Sequence, residues 1–164
     1  MLFPKKARKA QRSRWPGFPL LRHDNYLITS PQTYEYNCIA WAAGCNDRWW
    51  EPDDQDVGYW PDGVDRKPTL DAFLAAYGTL GYVQCQDNDY EKGYEKIALY
   101  AKDGKPTHAA RQLPNGRWTS KLGASHDIEH ELGAIEQGDY GRVVAYMKRH
   151  LTPVAPTNRV AAPK

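Results

Sequence analysis

Two segments in the first half of the chain carry apolar residues at helical spacing. Residues 37–45 (NCIAWAAGC) are apolar on nearly every side, which predicts a short buried helix. Residues 70–78 collect their apolar side chains on one face, follow Thr69, a residue type that caps helix starts, and end at Gly78, a typical stop. Between these two predicted helices lies a long loop rich in aromatic and acidic residues.

The second half alternates apolar and polar residues over short runs that turn residues separate. This pattern predicts strands over 81–85, 96–101, 107–113, 117–122 and 142–148. One further run, 127–136, places Ile128, Leu132 and Ile135 together and predicts a third, short helix with Ser125 or Asp127 as its cap. Helices followed by an antiparallel meander indicate the α+β fold class.

The turn Pro114-Asn115-Gly116 predicts a hairpin with a three-residue loop, which Gly116 ends in the left-handed region. In that register Leu113 faces Arg117, and His108 and Ser120 become diagonal neighbours on one face of the sheet. A two-residue loop would instead bring Thr119 to the face of His108. Both registers remain open from the sequence.

Cys38 falls in the first turn of the predicted buried helix. Free backbone N–H groups and the helix dipole favour a thiolate there, which would lower the thiol pKa and make the sulfur nucleophilic. The alternative is an ordinary core cysteine, because cysteine is among the most buried residue types. Cys45 and Cys85 have no comparable setting and are interpreted as structural.

The composition fits one domain of 164 residues, with 6 Trp and 11 Tyr against 3 Phe. Six Lys and Arg residues without an acid lie within 1–14, so the remainder holds 16 basic and 20 acidic residues. We expect a basic disordered arm over 1–19, a domain over 20–151 and a Pro-rich disordered tail over 152–164. The arm could bind nucleic acid, dock on a partner or simply be solvated.

No apolar run has the ~20 residues of a membrane span, and the Pro-containing run after the arm is a poor secretion signal. We therefore expect a cytoplasmic protein that binds no membrane. Three cysteines are too few for a disulfide scaffold, and all would stay reduced in that compartment. Nucleic acid is not the expected partner, because basic residues cluster only in the arm. The oligomeric state is not encoded in any pattern.

The motifs YNCIAWA, THAARQLPNGRWTSKLG and DIEHEL, in that order, resemble the papain-like cysteine hydrolase superfamily. The similarity is to its compact bacterial branch of NlpC-like and CHAP-type amidases and peptidases, and to an uncharacterised bacterial domain family with this core. It covers about residues 27–149. It implies a papain-like α+β fold in which a helix bearing the cysteine packs on an antiparallel sheet bearing the histidine.

The resemblance implies hydrolysis of a peptide or another amide-containing substrate without a cofactor. Cys38 would attack the carbonyl carbon, and His108 would carry the proton to the leaving group. Ser120 occupies the position of the residue that orients the imidazole, where the family more often has His, Asn, Asp or Glu. Asp127, from the following loop, is the alternative orienting residue, and Thr119 and His130 also stay open for that place.

Substrate-binding groups are expected on both sides of the helix start. The backbone N–H of Cys38 could donate to the oxyanion, with Gln32, Tyr34 or Asn37 as the second donor. In the aromatic loop Trp49, Trp50 and Trp60 could form a flat platform for substrate. The alternative is a lid whose indoles pack against the core.

Two other function classes remain. A catalytically inactive papain-like module would use the aromatic loop and the arm to bind a partner protein or a cell-wall fragment. The residues His126-Asp127-Ile128-Glu129-His130 spell H-x-x-E-H, which on a helix could hold zinc. The surroundings of that motif argue against a metal, because a chain this short offers no distant glutamate ligand, and we assign no metal site.

Overall fold

In the computed structural model, which describes residues 15–152, one antiparallel sheet of seven strands lies beside two short helices. The strands lie in the sheet in the order β1-β6-β5-β4-β3-β7-β2. Helix α1 spans Cys38–Ala42 and α2 spans Leu70–Gly78. The strands are β1 Tyr26–Ser30, β2 Val83–Cys85, β3 Tyr94–Lys102, β4 Lys105–Gln112, β5 Trp118–Lys121, β6 Asp127–His130 and β7 Arg142–His150.

Both predicted helices form with side-chain caps at their starts. Asn37 accepts a hydrogen bond from the Ala40 N–H, and Thr69 accepts one from the Ala72 N–H. Such caps satisfy N–H groups that have no partner within the helix. The α+β class predicted from the sequence is confirmed, because the helices precede most of the antiparallel sheet.

The sheet separates two hydrophobic cores, because successive side chains of a strand point to opposite faces. On the face that packs against α1 and α2 lie Ile97, Leu99 and Ala109. On the other face lie their alternating neighbours Ala98, Tyr100 and Ala110, packed against the segment before β1 and the turn of 3₁₀ helix Leu132–Ile135.

The β4–β5 hairpin has the predicted three-residue loop. The Leu113 N–H donates to the Arg117 carbonyl at 2.7 Å, and Gln112 pairs with Trp118. Gly116 has φ = +81°, a conformation that glycine adopts without a Cβ penalty. The loop therefore sets the register that puts His108 and Ser120 on one face, and the two-residue alternative is wrong.

The predicted helix over 127–136 is wrong. Residues Asp127–His130 form β6 between β1 and β5, and only Leu132–Ile135 forms a 3₁₀ turn. The polar side chains at the two ends of β6 are buried because hydrogen-bond partners meet them there, so tertiary contacts override the helical spacing. Strand β1 is not among the predicted strands.

The packed part of the chain begins before residue 20. Phe18 is buried in the core that also contains Leu21, so residues 15–19 of the predicted arm pack against the sheet. Residues 1–14 of the arm and 153–164 of the predicted tail lie outside the described residues. No helix within 15–152 has the length and apolar character needed to cross a bilayer.

Candidate active site

Asn37 joins the start of α1 to the aromatic loop. Its Oδ1 accepts hydrogen bonds from the Ala40 N–H at 3.1 Å and the Trp50 N–H at 3.2 Å, and its Nδ2 donates to the Trp50 carbonyl at 2.8 Å. The side chain therefore fixes Trp50 beside Cys38. These bonds use the amide oxygen and one of the two Nδ2 hydrogens, so Asn37 positions the site, and its role as an oxyanion donor stays a prediction.

Cys38 lines a cavity of about 370 Å³ together with Trp50, Thr107 and other residues, although its own exposure is only 8%. Burial raises the pKa of the thiol to about 11, and N–H groups of Ala109, Ile39 and Cys38 itself oppose this rise only in part. The expectation of a lowered pKa is wrong, because desolvation of the thiolate outweighs the helix start. Near pH 7 the sulfur therefore carries its proton.

The second predicted residue, His108, belongs to a buried chain of three side chains. Its Nε2 lies 2.9 Å from the Ser120 Oγ, which in turn lies 2.8 Å from the His130 Nε2. The His130 Nδ1 lies 2.7 Å from the carbonyl oxygen of Glu131. All three side chains have 0% exposure. The predicted contact between His108 and Ser120 is confirmed.

The direction of each hydrogen bond in this row of three side chains follows from the contact between His130 and the Glu131 carbonyl. A carbonyl oxygen only accepts, so His130 carries its proton on Nδ1. Burial lowers the His130 pKa to about 4, so near pH 7 its Nε2 is unprotonated and accepts from the Ser120 hydroxyl. Ser120 has no second proton to give and therefore accepts from the Nε2–H of His108.

His108 is consequently a neutral imidazole whose lone pair sits on Nδ1. Burial holds its pKa well below the usual value, and Nδ1 is buried without a hydrogen-bond partner among the described residues. Tyr140 stacks on the ring at 3.9 Å between centroids, and Tyr100 meets it edge-on at 5.3 Å. Nδ1 therefore has a free lone pair, but its burial disfavours the imidazolium and makes it a weak proton acceptor in the free protein.

The fold places Cys38 close to β4, the strand that bears His108, but the two side chains are not in direct contact. Seventy residues separate them in sequence, yet the Ala109 N–H, one residue after His108, faces the Cys38 sulfur. No hydrogen bond joins the thiol to the imidazole. Ala109 faces α1, whereas His108 packs on the Tyr100 side of β4. The two groups are thus neighbours across the backbone of one strand.

Asp127 does not orient His108. Its Oδ2 accepts hydrogen bonds at 2.5 Å from both the Tyr36 and Ser30 hydroxyls. It pairs in the sheet with Lys121, whose ammonium group donates to the Thr33 and Ser125 carbonyls on the helix side. The orienting contact to the imidazole therefore belongs to Ser120, and Asp127 belongs to a separate buried network.

The three tryptophans expected to form a platform have different positions. Trp50 lines the Cys38 cavity at 5% exposure. Trp60 packs on Phe73 of α2 and donates to the Asp65 carbonyl, as expected for the lid alternative. Trp49 lies at a different depression of the surface and donates to the Tyr34 carbonyl at 2.6 Å.

The two remaining candidates for the oxyanion donor, Gln32 and Tyr34, lie away from the sulfur. The Gln32 amide donates to the Tyr34 hydroxyl at 3.5 Å, and both side chains are exposed. Neither lines the cavity with Cys38.

The histidines of the H-x-x-E-H motif do not share a metal site. They lie four residues apart on extended chain, a separation of ~13 Å. His126 contacts the Ser30 carbonyl and His130 contacts Ser120. Within residues 15–152, no group of three His, Cys, Asp or Glu side chains could hold a metal ion.

His130 belongs to the site, although the sequence leaves it as only one of several candidates for the third residue. A helix over 127–136 hides it, whereas a strand pairing with β5 places it opposite Trp118, two residues from Ser120. Alternation of Asp127, Glu129 and Glu131 with Ile128 and His130 is the pattern that indicates this strand.

The comparisons with known proteins concern most of the described sheet. A family model described as "Domain of unknown function (DUF7689)" matches residues 27–148, from β1 into β7. No curated protein and no solved structure matches the chain. The match includes Cys38, His108, Ser120 and His130 and covers well over half of the chain. The chain therefore belongs to the DUF7689 family.

Proposed function

We propose that the protein is a cysteine-dependent hydrolase or acyl transferase that acts on an amide or thioester bond. Cys38 is the nucleophile and His108 the proton acceptor. The observation that carries the proposal is the chain from His130 through Ser120 to His108, which leaves a lone pair on the buried Nδ1 next to the residue whose N–H faces Cys38. We also propose that the fold is papain-like, with α1 and β4 supplying the pair.

The chemistry begins from a neutral thiol and a neutral imidazole. His108 Nδ1 takes the proton as the Cys38 sulfur forms a bond to the carbonyl carbon, and the imidazolium returns that proton to the leaving nitrogen as the C–N bond breaks. Water then attacks the thioester, its proton passing to His108, and the C–S bond breaks as the sulfur is reprotonated. A thioester substrate follows the same steps with sulfur as the leaving atom.

The free protein is not in the reactive arrangement. Tyr140 covers the imidazole, and its carbonyl accepts a hydrogen bond from Thr107, which lines the cavity with Cys38. Because His108 now packs with Tyr140 on the face opposite Cys38, the proposed step requires the imidazole to leave Tyr140 and turn to the α1 side of β4. Thr107 connects the cavity to this cover, so a bound substrate has a path by which to shift it.

Trapping of an acyl-enzyme tests the proposal. The protein is mixed with p-nitrophenyl esters of N-acetylated amino acids, and the adduct is located by peptide mass spectrometry. We expect a burst of nitrophenolate and an acyl group on Cys38, with no adduct at that position in Cys38→Ala. His108→Gln should slow acylation by about 10²–10⁴-fold, the usual contribution of a general base.

The controls use the other two thiols and the fold itself. Cys45→Ala and Cys85→Ala should keep the burst, since neither thiol lies beside His108. Circular dichroism and urea unfolding show whether His108→Gln is folded, and only a folded variant is compared. Acylation that is absent from Cys38, or that a folded His108→Gln variant performs at the unchanged rate, would overturn the assignment.

A non-catalytic binding module is the second candidate, and one observation favours it. The thiol has a raised pKa and the imidazole has no exposed surface, as in a packed core, while a cavity lies beside Cys38. Such a module would bind the N-acetylated amino acids of the same series without forming an adduct. Isothermal titration with the corresponding amides, run beside the trapping experiment, separates the two functions.

A further inference from the structure

The cavity beside Cys38 combines an apolar wall with an acidic rim. Ile39, Phe73 and Pro68 contribute apolar surface, and Glu51, Asp53 and Asp54 contribute carboxylates. At about 370 Å³ it is within the size range of small-molecule sites. A ligand that fills both parts must have an apolar segment and a group that carboxylates attract.

The three carboxylates differ in whether the protein already neutralises them. Asp53 accepts from the Val57 and Gly58 N–H groups and lies 3.5 Å from Arg66. Within residues 15–152, neither Glu51 nor Asp54 forms an ion pair. Two negative charges on exposed residues therefore border the cavity without an ion-pair partner among residues 15–152, and a cation that contacts both would be attracted at short range.

Trp50 supplies an independent sign that a ligand belongs in the cavity. Its indole Nε1–H is buried without an acceptor, although Trp50 is one of the lining residues and is only 5% exposed. A buried donor without a partner costs about 1–3 kcal/mol. A carbonyl oxygen of a ligand would remove that cost. Asn37 holds the Trp50 carbonyl and N–H, so the backbone of this lining residue is fixed.

We propose that the cavity binds the side chain of a lysine or arginine residue in the substrate, with the aliphatic stem on Ile39 and Phe73 and the cation at Glu51 and Asp54. This specificity rests on the proposed function, because the residue so held belongs to the acyl group that Cys38 attacks. The Trp50 indole donates to a backbone carbonyl of the same ligand.

The arrangement also links binding to reactivity. Burial is the main cause of the raised pKa of Cys38, and the negative charge of Glu51 adds a smaller rise. A cation seated against Glu51 would cancel that influence and make deprotonation of the sulfur easier.

Affinity labelling tests the specificity without requiring turnover. The chloromethyl ketones of N-acetyl-lysine and N-acetyl-norleucine share a four-carbon stem and differ in the terminal charge. Each alkylates a thiol by forming a C–S bond as chloride leaves. We expect the lysine reagent to label Cys38 at least about tenfold faster than the norleucine reagent, which corresponds to about 1.4 kcal/mol of selective binding.

Variants separate the charge from the fold. The preference should fall toward unity in Glu51→Gln/Asp54→Asn and persist in Asp62→Asn, an acid of the same loop outside the cavity. Trp50→Phe should slow labelling by both reagents alike, since it removes the donor and keeps a ring. Equal rates in the parent protein, or a preference unchanged in Glu51→Gln/Asp54→Asn, would overturn the proposal.

The outcome is distinguishable from that of the proposed function. A lysine preference in labelling without any acyl-enzyme from lysine esters would leave the specificity standing and refute the hydrolase. Acylation of Cys38 that is equally fast with lysine and norleucine esters would refute the specificity and leave the hydrolase standing.

Discussion

Removal of the Ser120 hydroxyl is the most informative perturbation of the fold. The hydroxyl is the only link between two fully buried imidazoles in the described structure, accepting from His108 and donating to His130. Ser120→Ala leaves two buried nitrogens without partners. At about 1–3 kcal/mol for each, the free energy of unfolding should fall by about 2–6 kcal/mol. That is a large share of the free energy of unfolding of a typical domain, about 5–15 kcal/mol. Few single substitutions cost more than about 4–5 kcal/mol.

The neighbouring residue provides a matched control. Thr119 lies on the same strand but on the opposite face, where its Oγ1 accepts one hydrogen bond from the Trp41 indole at 3.0 Å. Thr119→Ala removes that single bond and should cost about 1–2 kcal/mol. The assay is urea unfolding followed by circular dichroism. A Ser120→Ala variant as stable as Thr119→Ala, with the same dependence on urea, would refute the buried chain.

Three further predictions follow from other parts of the structure. The free energy of unfolding should fall as the pH drops from 6.5 towards 5, with a slope that approaches about 2.7 kcal/mol per pH unit. In that window the two histidines bind protons in the unfolded chain but not in the folded protein, where the pKa values of His108 and His130 are lowered. A flat profile in urea unfolding across this range would contradict the prediction. With iodoacetamide at pH 8, Cys38 should react more slowly than Cys45, because burial raises the pKa of Cys38 to about 11 while Cys45 is partly exposed. Site-resolved mass spectrometry that shows Cys38 as the faster thiol would contradict this expectation. Arg66→Ala should speed amide hydrogen exchange over residues 53–58, because the Arg66 guanidinium donates to the Asp53 and Gly58 carbonyls at 3.0 and 2.7 Å. Unchanged protection there would show that the loop is ordered without Arg66.

The parts of the fold that the sequence predicts are those set by local chemistry. Thr69 and Gly78 mark the ends of α2, and Pro114-Asn115-Gly116 sets the register of the hairpin and hence the contact between His108 and Ser120. These features depend on caps and turns, whose residue preferences act over a few positions. They suffice to place two of the site residues on one face.

The parts that the sequence misjudges depend on partners far along the chain. Tyr36 and Ser30 meet Asp127 from more than 90 residues away and stabilise it in a strand where the spacing favours a helix. The pKa of Cys38 likewise depends on how deeply α1 is covered by the sheet and by the aromatic loop, which no local pattern reports. Local rules predict elements, whereas desolvation and buried polar pairing are properties of the assembled core.

The protonation of His108 tests the central claim most directly. Two-dimensional ¹H–¹⁵N NMR of the imidazole nitrogens distinguishes a protonated nitrogen from one with a lone pair. Between pH 6 and 8 we predict that His108 carries its proton on Nε2 alone, that His130 carries its proton on Nδ1 alone, and that neither ring titrates. A His108 ring protonated at Nδ1, or at both nitrogens, would have no lone pair on Nδ1 to accept the Cys38 proton and would contradict the account.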